Sequence, residues 1–102
     1  MADIKLTYTA NAKGKYDFVA KQNGVVLYEK TYSPIKSKNQ HYMGIALVET
    51  LQKAADEEIE HNHNFKWNSF EEFKLWAGNA ELRNRAVLHY HEMMLNINKE
   101  GI

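Results

Sequence analysis

The chain has 102 residues, 44% of them apolar and 25% charged, with 13 basic and 13 acidic side chains. That length suits one domain with one modest core, and the lack of cysteine excludes disulfides, thiolate nucleophiles and thiolate metal sites. The opening MADIKLTYTA lacks the apolar run of a signal peptide, and no segment approaches the roughly 20 apolar residues of a membrane helix, so a cytoplasmic protein without membrane contact is expected.

Ile4, Leu6 and Tyr8 alternate with Lys5, Thr7 and Thr9, which is the period of a half-buried strand. Asn11 to Gly14 reads as a turn. Tyr16, Phe18 and Ala20 then alternate through a second strand over Lys15 to Gln22. Asn23-Gly24 separates two apolar runs. Both central residues of a type I′ turn need positive φ, which Asn and Gly tolerate best, so a hairpin is predicted here. The returning strand covers Val25 to Tyr32 and is ended by Ser33-Pro34, because proline cannot donate to a ladder.

Lys36 to Gln40 is a polar connection. From His41 to Glu60 the period becomes helical: Ile45, Val48, Leu51 and Ala55 share a face, with Leu47 and Ile59 beside them. Phe65 to Trp67 reads as a short fourth strand or as a loop. Ser69 with Glu72 three residues later is a capping-box signature for a short helix ending near Gly78. Asn79 caps a last helix to about Asn98, with Leu82, Ala86, Tyr90, Met93 or Met94, and Ile97 along its apolar stripe. The expected fold is α+β: a three- to four-stranded, mainly antiparallel sheet covered by helices, in the order β-β-β-α-(β)-α-α.

Three antiparallel strands followed by an amphipathic helix resemble the first half of the ribonuclease H fold. Tyr8-Thr9-Ala10-Asn11 resembles that family's first-strand motif, with Ala10 at the place of a catalytic aspartate. The helix entry Asn39-Gln40-His41-Tyr42-Met43-Gly44 resembles the family's, with Met43 at the glutamate position. Trp67-Asn68-Ser69 resembles the end of its fourth strand, with Asn68 for aspartate, and Asn84-Arg85-Ala86 echoes its last helix, again without the acid. The resemblance implies a minimal ribonuclease H-like scaffold without the carboxylates that two-metal hydrolysis requires. No catalytic residue is assigned. No glycine-rich phosphate loop, nucleophile elbow or His/Cys pair occurs, and no cofactor is expected.

Two surfaces are candidates for binding. Residues 1–40 hold seven lysines against three carboxylates, a balance of +4, and residues 41–102 hold six basic against ten acidic residues, a balance of −4. Lys13, Lys15, Lys21 and Lys30 with Tyr28 and Tyr32 would form a basic, aromatic hairpin face for nucleic acid, about half of the strand aromatics being left uncovered. Trp67, Phe70 and Trp76 belong to a dense aromatic cluster and would anchor a protein partner wherever a ring stays outside the core. Glu57, His61 and His63 stand at helical or near spacing for a metal, but a solvated helix end, where histidine favours the dipole, explains them as well, and no metal is assigned. The expectation is a non-enzymatic binding or inhibitory protein that docks on a protein or nucleoprotein complex, in the manner of a viral or phage accessory factor. The alternative is nucleic-acid binding through the hairpin.

Overall fold

The period-two segments form three antiparallel strands, β1 (Ile4–Ala10), β2 (Tyr16–Gln22) and β3 (Val25–Tyr32), in the spatial order β1-β2-β3. Three helices follow: α1 (Lys38–His61), α2 (Phe70–Ala77) and α3 (Ala80–Glu100). The computed structural model describes residues 3–33 and 38–100. Pro34, expected to end β3, and the polar residues Lys36 and Ser37 lie outside them. The fold is α+β as expected, with β-β-β-α-α-α order. Phe65 to Trp67 takes the loop alternative and pairs with no strand. None of the described helices is long and apolar enough to cross a membrane.

The turns follow their residues. Asn23 (φ 54°) and Gly24 (φ 78°) both adopt the left-handed conformation that a type I′ hairpin requires. The Asn23 side chain also accepts the Asp3 N–H at 2.7 Å, fixing where β1 begins. At the other end, Asn11 Oδ1 accepts the N–H groups of Lys13 and Lys15, and Gly14 supplies the positive φ (75°). A bulge between Ala20 and Lys21 leaves Leu27 without a partner, so Ala20 faces Tyr28 while Lys21 faces Val26.

Cross-strand partners share a face. Ile4, Leu6, Tyr8, Tyr16, Phe18, Ala20, Gln22, Tyr28 and Tyr32 therefore lie on one side of the sheet, and Thr7, Thr9, Asp17, Val19, Glu29 and Thr31 on the other. Helices cover the first side. Ile4, Leu6, Phe18 and Ala20 are buried with Leu51 and Ala55 of α1, Phe73 of α2, Leu82 of α3, and Trp67. α1 packs on β1 with one flank and on α3 with another. Its buried Ala46, Thr50 and Ala54 extend the burial beyond the one stripe visible in the sequence.

α2 has only eight residues, too few to stand alone, so its position depends on its ends and its packing. Ser69 caps it by accepting the Glu72 N–H, while Glu72 reaches back to the N–H of Asn68 at 2.8 Å. Asn79 likewise caps α3 through the Glu81 N–H.

Two glutamine side chains tie sheet to helices, each imitating a peptide group. Gln52 of α1 accepts the Leu6 N–H (2.7 Å) and donates to the Ile4 carbonyl (3.0 Å), closing part of the outer edge of β1. Gln22, buried at the end of β2, accepts the Trp67 N–H (2.7 Å) and donates to the Trp67 carbonyl (3.0 Å). Removing the second clamp strands two buried backbone groups. Gln22→Ala should therefore lose about 2–4 kcal/mol in urea unfolding, and Gln52→Ala, at a part-exposed edge, about 1 kcal/mol. Equal, sub-kilocalorie losses for the two variants would show that neither clamp matters.

Candidate functional site

A concavity lies between the covered face of β2 and β3, the first half of α1, and α2. Its volume is about 790 Å3. Phe18, Tyr28 and Tyr32 form the sheet wall, Leu47, Val48 and Leu51 the α1 wall, and Phe70, Phe73 and Ala77 the α2 wall. The aromatic walls interlock. Tyr28 stacks on Phe70 with centroids 4.3 Å apart and planes 15° from parallel, and Phe73 meets Phe18 at 6.1 Å. Tyr8, at the far end of the cleft, stacks on Tyr16 at 5.2 Å. Gly44 of α1 allows this: a Cβ there would lie 2.7 Å from the Tyr8 ring. The described lining contains no carboxylate, histidine or cysteine.

Two cations stand at the aromatic rim. Lys74 Nζ lies 5.9 Å from the Phe70 centroid and Lys30 Nζ lies 5.2 Å from that of Tyr32. Neither has a carboxylate partner among the described residues; the ion pair found there joins Arg85 to Glu57 (3.3 Å), and His89 Nε2 lies 2.6 Å from Glu49, both contacts running between α3 and α1. Partial burial raises the Tyr32 phenol to about 12, although the residue as a whole is 39% exposed, with the Tyr28 hydroxyl adding to the effect. Burial also raises Tyr8, helped by Tyr16.

The predicted site residues divide. Phe70 is half-buried and lines the cleft. Trp67 is only 3% exposed and belongs to the core, where it meets Phe73 edge-on at 4.9 Å. Trp76 is half-buried beside Trp67 and Phe65. The hairpin residues do not assemble as one face. Lys13 and Lys15 belong to the β1–β2 turn and its margin, Lys21 points to the open side of the sheet, and Lys30 to the covered side with Tyr28 and Tyr32. All five strand aromatics share the covered side, rather than half remaining outside.

Ala10 is exposed at the end of β1, Met43 half-buried on α1 and Asn68 exposed before α2. Glu57 is engaged by Arg85 while His61 and His63 are exposed, and no three metal-binding side chains converge among the described residues.

Sequence reasoning missed Gln22 and Lys74. Gln22 had a signal: the inward phase of Tyr16, Phe18 and Ala20 continues onto a polar residue, which must then find buried partners. Lys74 had none, because its role depends on where the loop places α2.

The sheet also has one open edge. Leu6 N–H and the Ile4 carbonyl face outward to Gln52, so the odd residues of β1 face β2. Carrying the antiparallel alternation across β2 turns the N–H and C=O of Glu29 and Thr31 away from the sheet, along the outer side of β3. No described residue pairs with them.

No known protein family matches this sequence, and neither does any curated protein or solved structure.

Tyr32 gives the cleft a spectroscopic handle. Its folded phenol stays protonated above the ordinary value of 10, so its contribution to stability is complete below pH 10 and is lost as pH rises toward 12. In an absorbance titration, Tyr32→Phe should delete the last tyrosine step. Deletion of an early step instead would mean that Tyr32 is solvated and the cleft wall is not in place.

Proposed function

We propose that this chain is a non-enzymatic protein-binding domain and that the aromatic cleft between β3, α1 and α2 is its recognition surface. One observation carries the reading: an apolar concavity of about 790 Å3 runs beside backbone groups on the edge of β3 that have no partner among the described residues. Apolar walls with a few polar groups at their margin, here the tyrosine hydroxyls, Ser33 and Lys74, suit the binding of an apolar segment. A small apolar molecule would fill the cleft alone. A protein segment also uses the edge of β3, and aromatic rings in pockets dominate protein interfaces.

The ribonuclease H-like resemblance enters this reading as element order alone. Ala10 and Met43 offer no oxygen ligand and Asn68 only a neutral one, so the proposed role does not involve that family's metal-dependent cleavage. The basic-hairpin alternative has less support, because its four lysines do not share a face.

The test is retention of proteins from an extract of the source cells on immobilised chain. A partner should be held by the wild type and by Leu88→Ala/Leu95→Ala on the exposed face of α3. Phe70→Ala/Tyr32→Ala, shown by circular dichroism to be folded, should hold it about thirtyfold more weakly. Retention unchanged by the cleft variant, or abolished by nuclease, would overturn the proposal.

A further inference from the structure

We infer that the partner presents an extended segment that adds to the sheet as a fourth strand along β3, with an acidic side chain set between two apolar ones. This rests on the protein-binding reading and specifies the chemistry of the ligand.

The two edges of the sheet differ. Gln52 occupies the outer groups of β1 at Ile4 and Leu6. Those of β3 at Glu29 and Thr31 have no partner among the described residues, and β3 is exposed from Glu29 to Tyr32. Unpaired edge groups are a template for an incoming strand, and main-chain hydrogen bonds made there are indifferent to sequence. Specificity must come from the side chains on either side.

On the cleft side, β3 presents Tyr28, Lys30 and Tyr32 in succession. An added strand places alternate side chains on that side, directly opposite these three. Tyr28 and Tyr32 are cleft walls and favour apolar groups opposite them. Lys30 lies between them and Lys74 brings a second ammonium over Phe70, neither charge matched by a carboxylate among the described residues. A neutral strand would desolvate these cations without compensation, and a basic one would repel them. An acidic side chain at the middle position pairs with Lys30, and Lys74 adds a second positive charge on the Phe70 wall.

On the open side the added strand would face Glu29 and Thr31, where a second acid is disfavoured. The recognised pattern is therefore apolar–x–acid–x–apolar, with x polar and not acidic. It reads the same in either strand direction.

The experiment is selection of random displayed peptides, as long as β3, on the wild-type protein, followed by synthesis of the enriched sequences. They should show the alternating pattern and slow amide exchange at Glu29 and Thr31 in the complex. Lys30→Glu/Lys74→Glu should weaken them about tenfold and select basic peptides in place of acidic ones. Enriched peptides that lose binding on Phe70→Ala but lack the pattern, or leave both amides unprotected, would overturn strand addition and leave the cleft as a binding surface. Failure to enrich any cleft-dependent peptide would overturn both, and shifts of the Tyr28 and Phe70 rings by decanoate would then identify a small-molecule site.

Discussion

The Gln22 carboxamide holds the Trp67 main chain, and the shape of the molecule beyond α1 depends on that contact. Residues 62–69 have no regular structure, so no ladder or helix fixes their path. A buried side chain that both donates to and accepts from the main chain of one residue does so instead. It anchors Trp67 in the core, Trp67 packs edge-on against Phe73, and Phe73 with Phe70 sets α2 over the aromatic side of the sheet. The second wall of the cleft stands where this chain of contacts puts it.

The sheet follows a simpler logic. Three short strands have two faces and two edges, and each is handled differently. One face is apolar and covered. The other carries polar cross-strand contacts, including Asp17 accepting from both Asn11 and Thr31. One edge is partly closed by Gln52. The remaining edge is bordered by aromatic rings and cations. Because α1 leans on β1 and α2 touches β3, the gap between the helices falls above β2 and β3. The cleft is thus a product of layer geometry, with side chains that keep it apolar.

Much of this was legible in the residues. Alternation located β1 and β2, Asn23-Gly24 gave the hairpin and with it β3, and Ser69 and Asn79 gave the starts of α2 and α3. Helical periodicity found one stripe of α1 but not the flank carrying Ala46, Thr50 and Ala54. Small and polar residues are buried there by α3, whose approach is a tertiary matter. Phe65 to Trp67 has a strand-like composition, yet the Phe65 N–H donates to the Asn62 carbonyl, the Trp67 main chain bonds to the Gln22 side chain, and no strand among the described residues pairs with the segment. Aromatic density pointed to the region of the cleft, while exposure divided it: Phe70 faces the cleft and Trp67 does not, because the loop turns one ring inward before α2 begins. The lysines of the first half were visible as an excess of charge, but which of them meet an aromatic wall depends on strand phase and on the placement of α2.

The most direct test of this account is whether the Gln22 clamp places α2. Ring-to-ring nuclear Overhauser contacts of Tyr28 with Phe70 and of Tyr8 with Tyr16 would be measured in the wild-type protein and in Gln22→Leu. The account predicts both in the wild type, and loss of Tyr28–Phe70 with Tyr8–Tyr16 intact in the variant. Persistence of Tyr28–Phe70 in the variant would show that α2 holds its place without the clamp, and its absence from the wild type would remove the cleft itself.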